Sequence, residues 1–372
     1  MRCDALIIGA GPAGASAARL LAQAGWSVAL VEKCEFPRRK VCGEFISATT
    51  MPVLEACGVA KAFAAAAGPA VTRVGAYAGD AMLAAPAQRN WGRALGREHL
   101  DVMLRDAAVG AGAALLQPAE IVELRRGRQN HICVLDDGRE IAASTVIAAC
   151  GSWNAKGPFA VPHAATDPSD LFAFKAHFKG SALPPGLMPL LAFPGGYGGL
   201  VHSDAGRTSL SCCIRRDALE RARLRHGGKA AGAVLAHIME TTKGARLALE
   251  RAALEGSFLA TGPIHPGIRR LQDDGVYFTG NIAGEAHPVI AEGISMAIQS
   301  SGLLAKLLIA GRGEAYAREW KLRFAPRIRA ASIFAHLAMT GTGRLAGLAV
   351  LRAAPGLLDL GARISGKAPL AA

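Results

Sequence analysis

Residues Cys3–Lys33 read CDALIIGAGPAGASAARLLAQAGWSVALVEK, and this stretch decides the fold. Ala5–Ile8 is a short apolar run of the kind that forms a strand covered on both faces. It leads into Gly9-Ala10-Gly11-Pro12-Ala13-Gly14, then into a run of helix formers that Gly25 stops, and then into a second apolar strand, Val28–Val31, ending at Glu32. Each glycine has its own physical task. Gly9 allows the tight turn, Gly11 lets the backbone approach a pyrophosphate, and Gly14 lets the helix pack on the strand. The helix N-terminus offers free N–H groups and a positive dipole end to phosphates. Glu32 is placed to hydrogen-bond a ribose diol and would repel a 2′-phosphate, so the spacing predicts NAD or FAD rather than NADP.

Composition sets the frame. The chain has 372 residues, 51% of them hydrophobic and 19% charged, enough for two domains with sizeable cores. Its net charge of +13 favours an anionic partner: a phosphate-bearing ligand, a membrane surface or a nucleic acid. Aromatic residues make up 5%, and no Lys/Arg run is interleaved with Phe or Tyr, so no nucleic-acid partner is expected. The eight cysteines form no CxxC pair and no zinc-ligand spacing, so no metal is expected. Reduced thiols fit the cytoplasm.

Further along, ALGREHLDVMLRDAAVGAGAAL carries Leu100, Met103, Leu104 and Ala107 at helical spacing, with Arg97 at the start. DDGVYFTGNIAGEAHPVIAEGISMAIQSSGLLAKLL reads as a strand, a Gly/Pro-rich loop and a helix starting near Gly293. FPRRKVCGEFIS, Phe36–Ser47, follows the second strand and mixes Arg38, Arg39 and Lys40 with Cys42, Gly43 and Glu44. The four glycines of PGGYGG give that loop the freedom for close approach to a ligand.

Together, GAGPAG, FPRRKVCGEFIS, GREHLD, GNIAGEAHPVIAEGISMA and PGLLDLGARISGK resemble the FAD-dependent oxidoreductases of the para-hydroxybenzoate hydroxylase fold. Within these the chain is most similar to the geranylgeranyl reductase-like subgroup, with flavin-dependent halogenases more distant. The resemblance implies an α/β (α+β) protein whose Rossmann-like FAD-binding domain is interleaved with a mostly antiparallel β-sheet substrate domain. The FAD-binding domain would take residues 1–75, 95–155 and 262–310. The substrate domain would take 76–94 and 156–261, followed by a C-terminal helical segment at 311–372.

By the same resemblance Gly9, Gly11, Ala13 and Gly14 line the FAD pyrophosphate, and Glu32, with Lys33 beside it, holds the adenosine ribose. Arg38 faces the cofactor's anionic groups, and Cys42 and Gly43 contact FAD. Arg97 reaches the pyrophosphate or ribityl region, and Ile121 lies beside the adenine. Asn281, Pro288, Gly293 and Ile294 meet the pyrophosphate, ribityl chain and ring. The sequence departs from the family at Asn281, where Asp is usual, and at Cys150, which replaces the Asp of the hydroxylases' Ala-Asp-Gly segment. AFPGGYGG is a reduced form of the prenyl reductases' YxWxFP, and the halogenases' tryptophan-rich signature is absent.

The chemistry implied is flavin redox with NAD(P)H as transient reductant and a small hydrophobic substrate. Hydroxylation of an aromatic, polyketide or phenolic-lipid molecule is the leading expectation. Reduction of a prenyl C=C bond is the alternative, and a non-catalytic flavin- or lipid-binding protein is the reading from another class. Glu44, Cys42 and His287 are the candidate catalytic residues. The basic amphipathic stretch EAYAREWKLRFAPRIRAASIF adds a peripheral place at the inner membrane face to the cytoplasmic expectation.

Overall fold

The computed structural model describes residues 1–85, 89–127, 130–152, 157–160 and 166–367. The strand Arg2–Ile8 runs through the middle of an eight-stranded sheet, parallel to Val28–Val31 on one side and Glu140–Ala148 on the other. Val276–Phe278 and Ala114–Leu116 extend the parallel part outward. Burial on both faces explains why these strands read as unbroken apolar runs. The helices Pro12–Gln23, Arg97–Gly110 and Gly293–Ile309 pack together beside the sheet. In register, Ile8 stands beside Val31 and Ala148, and Ala148 beside Phe278. The carboxyl ends of four parallel strands therefore lie side by side, and the loops after them open to one place. That is where open α/β sheets bind ligands.

The second sheet has seven strands in the order Ala253–Ile264, Leu171–Lys179, Thr208–Arg215, Gly196–His202, Leu187–Phe193, Arg73–Ala78 and Ala81–Ala84. Every pairing is antiparallel except that of Leu187–Phe193 with Arg73–Ala78. One face holds a core of Phe174, Phe178, Leu191, Phe193 and Ile214 beneath the helices Arg216–His226, Ala230–Thr241 and Lys243–Leu249. From the other face Ala173, Tyr197 and Cys213 join the core of the first sheet. The segment limits expected at 75 and 262 fall inside the strands Arg73–Ala78 and Ala253–Ile264, which belong wholly to the second sheet. The crossings therefore lie at 73 and 264. A continuous strand gives no composition shift to mark them.

The described chain ends in helices Tyr316–Met339, Gly341–Ala353 and Leu357–Ile364. Trp320, Phe324, Ile328, Ala331 and Ala335 recur at helical spacing and are buried against the first core, and the Tyr316 hydroxyl donates to the Phe278 carbonyl at 3.0 Å. The PGLLDLGARISGK stretch returns to the nucleotide-side helix. The Thr49 hydroxyl donates to the Gly366 carbonyl at 2.6 Å, and the buried Lys367 ammonium lies 3.3 Å from the Glu292 carboxylate just before Gly293.

Candidate functional site

A cavity of about 540 Å³ lies between the two sheets, below the carboxyl ends of the parallel strands. Its walls bring together Gly9, Gly11, Ala13, Glu32, Lys33, Arg38, Cys42, Gly43, Glu44, Arg97, Ile121, Asn281, Pro288, Gly293 and Ile294. These come from well-separated regions of the chain. Two singled-out residues lie behind the wall. Gly14 is buried in the turn beneath it, and His287 is directed at Tyr197.

The glycine turn has the geometry its sequence requires. Gly9 sits at φ 102°, a conformation that favours glycine, and a Cβ there would lie 2.6 Å from the Ala149 carbonyl oxygen. A Cβ on Gly14 would lie 1.8 Å from the Gly9 carbonyl oxygen. Gly11 differs: its Cβ would meet only the Arg97 guanidinium, at 3.7 Å, inside the cavity. The helices Pro12–Gln23 and Gly293–Ile309 both begin on this cavity, and neither N-terminus is capped by a side chain. Two positive dipole ends therefore face the same space.

The electrostatics follow. Glu32 is buried; its carboxylate accepts the N–H of Ala10 at 2.9 Å, the N–H of Cys34 at 3.0 Å and Arg38 Nη2 at 3.1 Å. Arg38 also stacks over Phe36, 4.6 Å from its ring centre. Arg97 donates to both carboxylate oxygens of Asp101, at 2.6 and 2.7 Å, a forked pair that fixes it at the start of its helix. Burial works against its charge, but Asp101 outweighs burial and holds it protonated. Lys33 pairs with Glu120 at 3.4 Å at the rim. Asn281 Nδ2 donates to Ser152 Oγ at 3.1 Å and to Glu285 Oε1 at 3.3 Å. Glu285 also lines the cavity and pairs with Arg269 at 3.0 Å. An acidic side chain thus stands four residues after Asn281, the position at which the family usually carries an aspartate. Burial raises the Glu285 pKa beyond what Arg269 offsets.

The structure gives the three catalytic candidates different standings. Glu44 has φ 64°, a left-handed conformation that costs a non-glycine residue energy, and its carboxylate is fully buried. It accepts from Lys175, from His177 Nε2 at 2.7 Å and from Ser203 Oγ at 3.3 Å. Burial alone would raise its pKa, but the His177 hydrogen bond and the Lys175 charge carry it down to about 2. The lowered pKa keeps Glu44 ionised at neutral pH, and its carboxylate ties Lys175, His177 and Ser203 together. Cys42 lines the cavity half-buried, and its sulfur accepts the Glu44 N–H at 3.4 Å. No imidazole is hydrogen-bonded to it among the described residues. Cys150 also lines the cavity, and burial pushes its thiol up to about 11, which leaves it protonated.

His287 Nδ1 lies 3.1 Å from the Tyr197 hydroxyl, with the two rings edge to face. Burial pulls the His287 pKa to about 4, so the imidazole is neutral at pH 7. Tyr197 does line the cavity, and burial holds its pKa well above the usual value, leaving a neutral phenol. The glycines of PGGYGG point to close approach, but the sequence reading does not single out Tyr197 itself. Its one signal is an aromatic set between glycine pairs. Met188, Leu190 and Val201 give this half of the cavity an apolar wall.

FAD fits these walls. The narrow glycine cradle, the two uncapped helix starts, the Arg97 guanidinium and the ribose-reach carboxylate of Glu32 match its diphosphate and adenosine. Compared with known proteins, residues 2–156 match the family described as FAD binding domain. A menaquinone reductase of Mycolicibacterium smegmatis is 28% identical over 160 residues, 42% of this chain, and the match spans 39% of that protein's length. The flavin-dependent brominase Bmp2 superposes with a TM-score of 0.78 at 19% identity, over 99% of this chain and 94% of that one. A geranylgeranyl bacteriochlorophyll reductase-like protein of Thermoplasma acidophilum gives 0.74 at 17% identity, over 98% and 92%.

Proposed function

We propose that this chain, an FAD-dependent oxidoreductase of the para-hydroxybenzoate hydroxylase fold, reduces a C=C bond in a hydrophobic isoprenoid or quinone-type molecule. FAD would lie along Gly9, Gly11, Ala13, Glu32, Arg38, Cys42, Gly43, Arg97, Ile121, Asn281, Pro288, Gly293 and Ile294, with Gly14 supporting the turn. Reduced by NAD(P)H, it would supply the hydride. The chain's own residues supply the rest. The apolar wall around Met188 and Leu190 would hold the substrate and keep water out.

The observation that carries this reading is Tyr197 on the cavity wall with His287 behind it, 3.1 Å from its hydroxyl. Reduction of an alkene needs one hydride on one carbon and one proton on the other. A neutral phenol is a proton donor, and the imidazole at its oxygen orients it; water would return the proton to the phenolate after each turnover. His287 is then a positioning residue. The similarity to menaquinone reductase in the FAD-binding half supports the substrate class.

Tyr197→Phe is expected to keep its FAD and its rate of flavin reduction by NAD(P)H while losing about 10²–10⁴-fold in product formation. Product loss below tenfold would remove Tyr197 from the chemistry. The assay is anaerobic, with menaquinone as substrate, and mass spectrometry reads a gain of two hydrogens that persists after any quinol is reoxidised to the quinone.

Aromatic hydroxylation is the second reading, favoured by the incomplete YxWxFP signature in AFPGGYGG. It requires oxygen and adds one oxygen atom, so the same assay with and without air separates the two. A protein that holds FAD and turns over nothing under either condition would be a flavin carrier.

A further inference from the structure

The exposed large hydrophobic side chains are unevenly distributed. Among the described residues nine of eighteen fall between Tyr316 and Ile364. On Tyr316–Met339, Leu322, Ile333, Phe334 and Leu337 face outward, with Leu322 and Ile333 more than 60% exposed. On Gly341–Ala353, Leu345 is 73% exposed and Val350 53%. The positive charge is concentrated in the same place. Residues 312–367 hold ten Lys and Arg against three Asp and Glu, so more than half of the net +13 lies here. Two of these cations, Arg327 and Lys367, turn inward toward Gln299 and Glu292, but Arg312, Arg318, Lys321, Arg323, Arg329 and Arg352 are exposed.

Apolar and basic side chains together on exposed helices are the chemistry of an anionic bilayer surface, where long cationic stems reach headgroups and apolar tips enter the acyl boundary. No single helix among the described residues is long and apolar enough to cross a membrane, and the two helices meet at 106° around Thr340. That geometry suits a corner lying in the interface. A protein partner of ordinary composition would need a matching row of acids, whereas phosphatidylglycerol or phosphatidylserine headgroups supply the negative charge along the whole face.

The corner also touches the turn that precedes Tyr197 in the chain. Arg344 Nη1 donates to the carbonyls of Phe193, at 3.3 Å, and Met339, at 3.1 Å. Phe193 and Gly195, whose N–H donates to the Met339 carbonyl at 3.4 Å, flank the turn that leads to Tyr197.

We infer that helices Tyr316–Met339 and Gly341–Ala353 form a docking face for an anionic phospholipid bilayer, with the corner between them inserted in the interface. Docking of this kind rests on charge and exposure and does not depend on the redox reading.

The test is co-sedimentation of the full-length, FAD-loaded protein with vesicles of phosphatidylcholine alone or mixed with phosphatidylglycerol. Binding about tenfold tighter to the anionic vesicles, weakened by high salt, is expected. Leu337→Glu with Leu345→Glu is expected to cut that binding at least about tenfold while retained flavin and circular dichroism stay unchanged. Equal binding to both vesicles, binding to neither, or binding indifferent to the double substitution would overturn the inference. So would a wild-type dimer in size-exclusion chromatography that the double variant converts to monomer, since the face would then be covered by a second copy.

Discussion

Glu44→Gln lowers the unfolding free energy by about 3–5 kcal/mol, the usual cost of leaving a buried charge without its partner. Glu44, Lys175 and His177 are all essentially inaccessible to water, so no solvent replaces the lost carboxylate charge. The same carboxylate sets the acid limit of the fold. Its folded pKa of about 2 lies below the ordinary 4.5, so its contribution is complete above about pH 4.5 and is lost as pH falls toward 2. The two values correspond to about 3 kcal/mol. Urea midpoints across that pH window should fall steeply in the wild type and less steeply in Glu44→Gln. The double variant Glu44→Gln, Lys175→Met should recover part of the loss at neutral pH, because it removes the stranded cation. A single-variant loss under about 1 kcal/mol would contradict the ionic anchor.

Gly14→Ala and Gly11→Ala are expected to fail in different ways. The Cβ on Gly14 would sit 1.8 Å from the Gly9 carbonyl oxygen, a contact with the turn's own backbone that no side-chain rotation relieves. The turn must open, costing about 1–3 kcal/mol and most of the FAD affinity. On Gly11 the Cβ would meet the Arg97 guanidinium at 3.7 Å, ordinary contact, so the protein should melt like the wild type. It would still bind FAD about tenfold to a hundredfold more weakly, because the methyl group occupies the path of the pyrophosphate. Melting temperature and FAD titration, read on both variants, separate the roles. Equal melting temperatures and unchanged affinity in Gly11→Ala would show that the diphosphate does not approach this backbone.

What could be read from the sequence divides along physical lines. The glycine turn was legible because its demands are local: a positive φ at Gly9, close packing at Gly14, an open side at Gly11. The helix start near Gly293 was legible for the same reason, whereas the first helix, expected only after Gly14, begins already at Pro12. The state of Glu44 was not. Its partners Lys175 and His177 lie 131 and 133 residues away, on a strand whose residue pattern does not say what faces it. Tyr197 and His287, 90 residues apart, meet only because the two sheets pack against each other. Glu285 is a middle case. It follows Asn281 by four residues, close enough to be considered, but its return to the cavity depends on Arg269 and the turn between them.

The most direct measurement is the visible absorbance spectrum of the purified protein after incubation with FAD and removal of the unbound cofactor. One FAD retained per chain, lost in Gly14→Ala, is the result this structure predicts. A wild-type protein that is folded by circular dichroism and retains no flavin would contradict it.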